Sequence, residues 1–162
     1  MKILVPVDGS EPALDAVRYA LQLRREGLQA SYVLATVQEP TYAYELMLAP
    51  GAEALDRVSG AVGARALKDA EALFEAAGVP FEREIGSGDP VQTLLEITGR
   101  YGCEAIVMGA RGRGSMRSAL LGSVSQALLY ASPVPVTIVK RVVTQAEAGG
   151  TVRPPVAQDR AV

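Results

Sequence analysis

Two segments of the sequence combine glycines with small polar residues in a way that suits anion binding. One is Asp8-Gly9-Ser10, and the other runs from Gly109-Ala110-Arg111-Gly112 to Gly122-Ser123-Val124-Ser125. Glycines allow the backbone to approach a ligand closely and to direct several N–H groups at one point. A helix that begins near Ser123 would add its dipole and its first N–H groups, the usual means of holding a phosphate. The two segments therefore predict a phosphate site rather than a mere turn and a helix cap.

Charge around the second segment also favours an anionic ligand. No acidic residue occurs between Glu104 and Glu147, whereas that interval contains Arg111, Arg113, Arg117, Lys140 and Arg141. These arginines are also typical of a solvated surface. The chain as a whole carries a net charge of −2, which argues against nucleic acid or an anionic membrane as a partner.

The residue types that the chain lacks exclude several classes of catalytic and metal site. The chain has no histidine and only one cysteine, Cys103, so Ser-His-Asp triads and histidine-ligated metals are excluded. We therefore expect no catalytic residues and no dedicated enzyme. A single cysteine cannot form an internal disulfide, and residues 1–8 do not resemble a signal peptide, so we expect a cytoplasmic protein. No apolar run reaches the roughly 18–20 residues that a membrane-spanning helix needs.

Alternating strand and helix patterns must position the two segments. Strands are predicted at Lys2–Val7, Ala30–Val37, Phe81–Ile85, Ala105–Met108 and Val134–Lys140, and helices from Ser10 to about Gly27, at Ala52–Ala77, from Asp89-Pro90 to about Tyr101, and at Ser123–Ala131. Five strands alternating with four helices predict one α/β domain with an open, doubly wound parallel sheet over residues 1–141. In such sheets ligands bind beyond the carboxyl ends of the strands, where both segments fall.

Two stretches lack this periodicity. Residues 39–51, which contain Tyr42, Tyr44 and Met47, are irregular, and these side chains are more typical of packing or an interface than of a lid. Residues 142–162 are rich in glycine, proline and small polar residues, which predicts a disordered tail.

Familiar nucleotide motifs do not match the glycine spacing. A Walker-type loop requires Gly-x4-Gly-Lys-Ser/Thr, but Gly114 is followed directly by Ser115. A dinucleotide fingerprint requires Gly-x-Gly-x-x-Gly after the first strand, whereas Gly112-x-Gly114 is followed by Arg117 and comes after the fourth. Neither kinase-type phosphoryl transfer nor NAD chemistry is supported.

A third pattern does match. Gly109, two residues, Gly112, nine residues and then Gly122-Ser123 resemble the Gly-x2-Gly-x9-Gly-Ser/Thr signature of the ATP-binding branch of the universal stress protein family. The resemblance extends from the opening Ile3–Ser10 to the closing Ser132–Val136 and covers about residues 1–141. It implies a Rossmann-like fold of the adenine nucleotide alpha hydrolase type.

The resemblance also implies a ligand, a set of site residues and a partner. Asp8 would face the ribose and phosphates with Mg²⁺ between them, Val37 would meet adenine through its backbone, and Met108 and Gly109 would line the ribose. The amides of Gly112, Gly122, Ser123 and Val124, with the hydroxyls of Ser123 and Ser125, would hold the phosphates. The implied ATP site comprises Pro6, Val7, Asp8, Val37, Met108, Gly109, Arg111, Gly112, Gly122, Ser123, Val124 and Ser125. A homodimer would form through the last strand, Val134–Val139, which is apolar and ends the sheet.

Three hypotheses follow for the function. The leading one is an ATP-binding regulator of the stress response that acts through conformation or an unidentified protein partner and is at most a slow ATPase. The second is a nucleotide hydrolase on the same fold, but Asp8-Gly9-Ser10-Glu11 lacks a Ser-Gly-Gly-x-Asp-Ser pyrophosphate loop. The third is an interaction module in which nucleotide is structural or absent.

Overall fold

A computed structural model describes residues 1–38, 52–112 and 121–140, with residues 52–59 as helix backbone only. Strands and helices alternate throughout these ranges. In chain order they are β1 (Lys2–Pro6), α1 (Glu11–Arg25), β2 (Ser31–Gln38), α2 (Ala52–Ala76), β3 (Phe81–Ser87), α3 (Pro90–Arg100), β4 (Ala105–Gly109), α4 (Ser123–Ala131) and β5 (Val136–Val139).

The five strands form one sheet in the order β3-β2-β1-β4-β5, and every neighbouring pair is parallel. This confirms the predicted doubly wound α/β class. The chain moves outward from β1 to β3 on one side and then crosses to β4 on the other, so the strand order reverses between β1 and β4. Asp8 follows β1 and Gly109 ends β4, so both predicted segments flank this reversal.

The edge strands differ in length from the prediction. β3 extends beyond Ile85 because its register with β2 continues to the pair Gln38 and Ser87. β5 begins at Val136 rather than Val134 because Pro135 has no N–H to donate, although its carbonyl accepts from the N–H of Ile106 at 2.9 Å. Both strands lie at the sheet edges, as their sequences predict.

Side-chain caps begin two of the helices, and glycines end two of them. Ser10 caps α1 by accepting from the N–H of Ala13, and Asp89 caps α3 by accepting from the N–H of Gln92 at 2.9 Å. Gly27 and Gly78 follow α1 and α2 with φ values of 110° and 63°. A residue with a side chain rarely adopts this left-handed conformation, so the glycines end the helices where predicted.

Each face of the sheet carries its own apolar core. On one face Tyr32 and Phe74 are buried against α1 and stack edge-to-face with ring centroids 5.1 Å apart. On the other face Leu4 of β1, Ile97 of α3 and Leu128 of α4 are buried in one cluster. The cores fix the helices on both faces of the sheet.

Gly60 and Gly63 of α2 provide a matched test of this packing. A Cβ at Gly60 would meet nothing within 4 Å, whereas one at Gly63 would lie 2.6 Å from Cγ2 of Ile85. We expect Gly60→Ala to raise the free energy of unfolding by about 0.5–1 kcal/mol, because alanine favours a helix over glycine. Gly63→Ala should lower it by about 1 kcal/mol, since overpacking against β3 outweighs the same gain.

Urea unfolding of the two variants checks this prediction. Equal stabilisation by both substitutions would contradict the contact between α2 and β3.

Some sequence predictions lie outside the described residues. They are the segment with Tyr42, Tyr44 and Met47, the basic residues Arg113 and Arg117, and the tail 142–162. Within the described ranges no helix is long and apolar enough to span a bilayer.

Candidate functional site

A cleft of about 520 Å³ opens beyond the carboxyl ends of β1, β2 and β4. This volume is within the usual range of small-molecule sites. Every residue that the sequence predicts for the site, from Pro6 to Ser125, lines the cleft. The strand reversal between β1 and β4 therefore brings together residues that are up to 119 positions apart (125 − 6).

The turn after β1 holds the Asp8 carboxylate at the start of α1. Oδ1 of Asp8 accepts from the Ser10 N–H at 3.0 Å and from the Ser10 hydroxyl at 2.5 Å. The Ser10 Oγ also accepts from the Ala13 N–H at 3.4 Å. Gly9 between them has a φ of 78°, which glycine adopts without strain. Ser10 thus caps the helix, and Asp8 borders the cleft.

Two glycines after β4 are required by close contacts with the first segment. A Cβ at Gly109 would overlap the Pro12 carbonyl oxygen of α1 and would lie 2.6 Å from the carbonyl carbon. At Gly112 it would lie 2.5 Å from Oδ2 of Asp8. Gly109 therefore lets β4 end against α1, and Gly112 lets the loop pass the Asp8 carboxylate.

Two hydrogen bonds join the start of α4 to the end of β4. The N–H of Gly122 donates to the Ala110 carbonyl at 2.8 Å, and the buried hydroxyl of Ser125 donates to the Gly109 carbonyl at 3.0 Å. Both donors are thus engaged by residues at the end of β4, and their contacts with a phosphate stay predictions. In this structure Gly122 and Ser125 join the start of α4 to the end of β4.

The N-terminus of α4 remains a donor site. α1 and α3 have side-chain caps, whereas α4 begins after Gly122 with no side-chain cap. Ser123 and Val124 occupy its first two positions and line the cleft. N–H groups in the first turn have no partner within their own helix, and the helix dipole adds partial positive charge there. The arrangement is suited to an anion.

Sequence reasoning missed the other wall of the cleft. It consists of residues from α1, β2 and α3, namely Ala13, Ala35, Thr36, Gln38, Pro90 and Leu94. The position of Thr36 and Gln38 on either side of Val37 at a strand end was an available signal. Pro90 and Leu94 carry no such signal, because only the packing of α3 on the sheet brings them to the cleft.

The residues of this cleft suit Mg²⁺ only when phosphate groups of a bound ligand also coordinate the ion. Among the residues that the structure describes, no three His, Cys, Asp or Glu side chains form a metal-binding group. Asp8 contributes one carboxylate to the cleft. Mg²⁺ is commonly bound by one or two carboxylates together with substrate phosphates and water, so Asp8 meets the requirement for that mode.

Cys103 lies away from the cleft, in the core beneath α3 and α4. Burial raises the pKa of its thiol, which keeps the group protonated and unreactive. A structural role for Cys103 accounts for these properties.

The fold and the cleft define a class: a doubly wound α/β protein with a cleft at the strand reversal. Comparison with known sequences gives the family, because the model of the universal stress protein family matches residues 1–140. The chain belongs to the universal stress protein family.

Individual relatives agree with this assignment. Universal stress protein MJ0531 of Methanocaldococcus jannaschii is 28% identical over 141 residues, which cover 86% of this chain and 82% of the relative. The solved structure of hypothetical protein MJ0577 is similar with a TM-score of 0.70 at 25% identity, covering 88% of this chain and 97% of that one. A universal stress protein solved in complex with cAMP has a TM-score of 0.63 at 27% identity, covering 86% and 97%.

Proposed function

We propose that this chain is an ATP-binding regulator of the universal stress type, which signals its nucleotide state through conformation or through a protein partner. The observation that carries the proposal is the start of α4, which has no side-chain cap and lines one cleft with Asp8 at the strand reversal of an open parallel sheet. A relative that was solved with cAMP supports an adenine nucleotide as the ligand class.

The phosphates would lie at the start of α4. The amides of Ser123 and Val124, the Ser123 hydroxyl and the Gly112 amide would donate to them, and Arg111 would add positive charge. Asp8 would share a bound Mg²⁺ with the phosphates, since a carboxylate beside polyphosphate is tolerated when a cation or a hydrogen-bonded hydroxyl lies between them. The base would extend toward Val37 and the apolar wall formed with Leu94.

We propose a binding protein rather than a dedicated enzyme. Bound Mg²⁺ can activate water for slow hydrolysis. Among the described residues, however, Asp8 is the one acidic side chain that lines the cleft, and its Oδ1 is already engaged by Ser10. A carboxylate committed to a turn and a metal is a poor general base. The proposed cellular location is the cytoplasm.

The sheet edge at β5 supports a homodimer. Pro135 and Val139 direct their carbonyls to β4, where the N–H groups of Ile106 and Ala110 donate to them at 2.9 Å. Backbone direction alternates along a strand, so Val136 and Ile138 direct their N–H and C=O groups outward. An outward row of backbone groups on an apolar edge strand is a template for a second strand. We propose that a second copy of β5 pairs there.

Proline substitution at Val136 tests this interface. Val136→Pro removes one outward N–H from each protomer and leaves the bonds to β4 intact. We therefore expect the dissociation constant of the dimer to rise at least about tenfold, which corresponds to the loss of one or two backbone hydrogen bonds. Sedimentation equilibrium measures that constant. The control Thr137→Val changes an exposed side chain of β5 and should leave it unchanged. An unaltered dimer in the proline variant would contradict pairing through β5.

Native mass spectrometry with and without Mg-ATP tests the proposed function itself. We expect a dimer that carries one ATP with Mg²⁺ in each chain. A chain that does not bind ATP at millimolar concentration would refute the regulator and favour the interaction module. Multiple-turnover release of pyrophosphate would instead favour the hydrolase.

A further inference from the structure

A second groove lies at the opposite end of α1 from the cleft described above. α1 and α2 end at Arg25 and Ala76, shortly before β2 and β3 begin, so both helices end near the amino ends of the strands. Residues from both helix ends line a groove of about 520 Å³. Five apolar residues and three arginines form this arginine groove, namely Leu21, Leu73, Ala76, Ala77, Val79, Arg18, Arg24 and Arg25.

The floor of the arginine groove is apolar and continuous with the protein core. Leu21 is buried in the core cluster, and Leu73 and Val79 are half-buried against it. Ala76 and Ala77 at the end of α2 are exposed, and their short side chains allow another chain to approach closely. An exposed apolar surface with a charged rim is typical of an interaction site.

The rim of the arginine groove is positively charged. None of the residues that line it is acidic, in a chain with a net charge of −2. Nη1 of Arg24 donates to the carbonyl of Ala30 at 3.1 Å, which is a neutral partner and leaves the charge of the guanidinium uncompensated. Arg25 is exposed and forms no ion pair with any residue that the structure describes. The groove therefore complements an acidic partner.

The third arginine retains donors for a partner as well. Nη1 of Arg18 pairs with Glu11 at 3.2 Å and with Asp15 at 2.7 Å. A guanidinium has five N–H donors on three nitrogen atoms, so its remaining donors can bind a further carboxylate. The dipole of α1 favours arginines in its last turn, which includes Arg24 and Arg25. It explains neither Arg18 nor the half-exposed apolar floor.

The spacing of the arginines along α1 indicates the shape of the partner. Arg18 and Arg25 are seven positions apart, which is two helical turns or about 10 Å along the axis. Leu21 lies between them. A partner helix with two glutamates seven positions apart and a leucine between them presents the complementary pattern on one face. Binding of an amphipathic helix in an apolar groove is a common mode of peptide recognition.

We propose that the arginine groove binds an acidic amphipathic helix of a partner protein. A leucine-type side chain of the partner lies on the floor between Leu21 and Leu73, and its carboxylates pair with the arginines of the rim. This inference goes beyond the proposed nucleotide function and does not depend on it, because the groove shares no lining residue with the cleft.

A pair of synthetic peptides tests the chemistry of the groove. The probe is a fluorescein-labelled peptide of about 18 residues, with leucines at every third or fourth position and glutamates on both sides of them. The comparison peptide carries lysine in place of each glutamate. A chain of net negative charge attracts the lysine peptide in general, so a preference for the acidic peptide requires a local positive site. We expect fluorescence anisotropy on the full chain to give at least about tenfold tighter binding of the acidic peptide.

Charge reversal at Arg25 assigns the binding to the groove. Arg25→Glu should weaken the acidic peptide at least about tenfold and strengthen the lysine peptide. The control Arg65→Glu makes the same change in charge at an exposed position of α2 outside the groove, and it should alter either constant by less than about twofold. Ala76→Glu places a carboxylate over the floor and should also weaken the acidic peptide, so it decides the question if Arg25→Glu does not fold.

Three results would overturn the proposal. They are equal affinity for the two peptides, an unchanged affinity in both groove variants, and a loss in Arg65→Glu as large as that in Arg25→Glu. Sedimentation equilibrium addresses a second copy as the occupant: a dimer that Arg25→Glu dissociates, without peptide binding by the wild type, would also refute an acidic partner helix. Calorimetric titration of the same samples with Mg-ATP measures the cleft separately, so failure of the groove and failure of the nucleotide site are distinguishable.

Discussion

Replacing Gly122 by valine is expected to abolish measurable binding of Mg-ATP and to leave the fold intact. A Cβ at Gly122 would lie 3.4 Å from the Arg111 Cα and 3.7 Å from the Gly112 N, which are ordinary contact distances. The φ of Gly122 is −75°, so no backbone strain opposes the substitution. The valine methyl groups would extend beyond that Cβ and cover the Gly112 amide and the first turn of α4.

The expected loss of Mg-ATP affinity depends on how many backbone N–H donors the valine side chain would cover. Loss of two or three charge-assisted bonds from backbone N–H groups to phosphate corresponds to an increase in the dissociation constant of at least about 100-fold, or about 2.8 kcal/mol. Calorimetric titration with Mg-ATP measures the affinity, and a thermal melt should show a midpoint within about 2 °C of the wild type.

Gly99→Val is the matched control for this experiment. Gly99 lies in the last turn of α3, outside the cleft, and a Cβ there meets nothing within 4 Å. We expect wild-type affinity from this variant. Wild-type affinity in Gly122→Val would show that the phosphates bind elsewhere, and retained partner binding without nucleotide would favour the interaction module.

Much of this site can be predicted from the sequence because its glycines follow a predicted strand at a spacing that a known family shares. The spacing of Gly109, Gly112 and Gly122 predicts a loop after a buried strand, and the structure locates all three on the cleft wall. Asp8 was predicted by its position after the first strand. Parallel strands put their carboxyl ends at one edge of the sheet, so strand prediction alone brings these positions near one another.

Other features depend on contacts between distant segments and could not be predicted. No pattern indicates that the Gly122 N–H would be used by the Ala110 carbonyl, or that the Ser125 hydroxyl would donate to the Gly109 carbonyl. Both bonds join the start of α4 to residues at the end of β4, more than ten positions earlier in the chain. The start of β5 was also misjudged, since Pro135 supplies a carbonyl to the ladder and is not itself in the strand.

Gly109 and Gly112 are three residues apart, and alanine should mainly lower stability at Gly109 and mainly weaken ligand binding at Gly112. Gly109 is buried at the end of β4, and a Cβ there would meet the carbonyl group of Pro12 and the backbone N of Ala13 at 2.9 Å. These atoms belong to the first turn of α1, which cannot yield without tilting the helix away from β4. Gly112 is exposed, and a Cβ there would meet a side-chain oxygen of Asp8.

We therefore expect Gly109→Ala to lower the free energy of unfolding by about 3 kcal/mol, the upper end of the usual cost of overpacking, because backbone rather than side-chain atoms oppose it. That loss is a large part of the 5–15 kcal/mol that holds a typical domain folded. Gly112→Ala should cost less than about 1 kcal/mol, since the Asp8 carboxylate can rotate, but it should weaken Mg-ATP binding by displacing that carboxylate.

Urea unfolding and calorimetric titration of both variants separate the two effects, with Gly99→Ala as the control for a glycine in open space. If Gly109→Ala were as stable as the wild type, the close approach of β4 to α1 would be wrong, and with it the geometry that brings the glycine loop beside Asp8. If instead Gly112→Ala unfolded the protein while Gly109→Ala did not, Asp8 would be a structural anchor rather than a ligand residue. The pair thus distinguishes the residue that builds the cleft from the residue that leaves room within it.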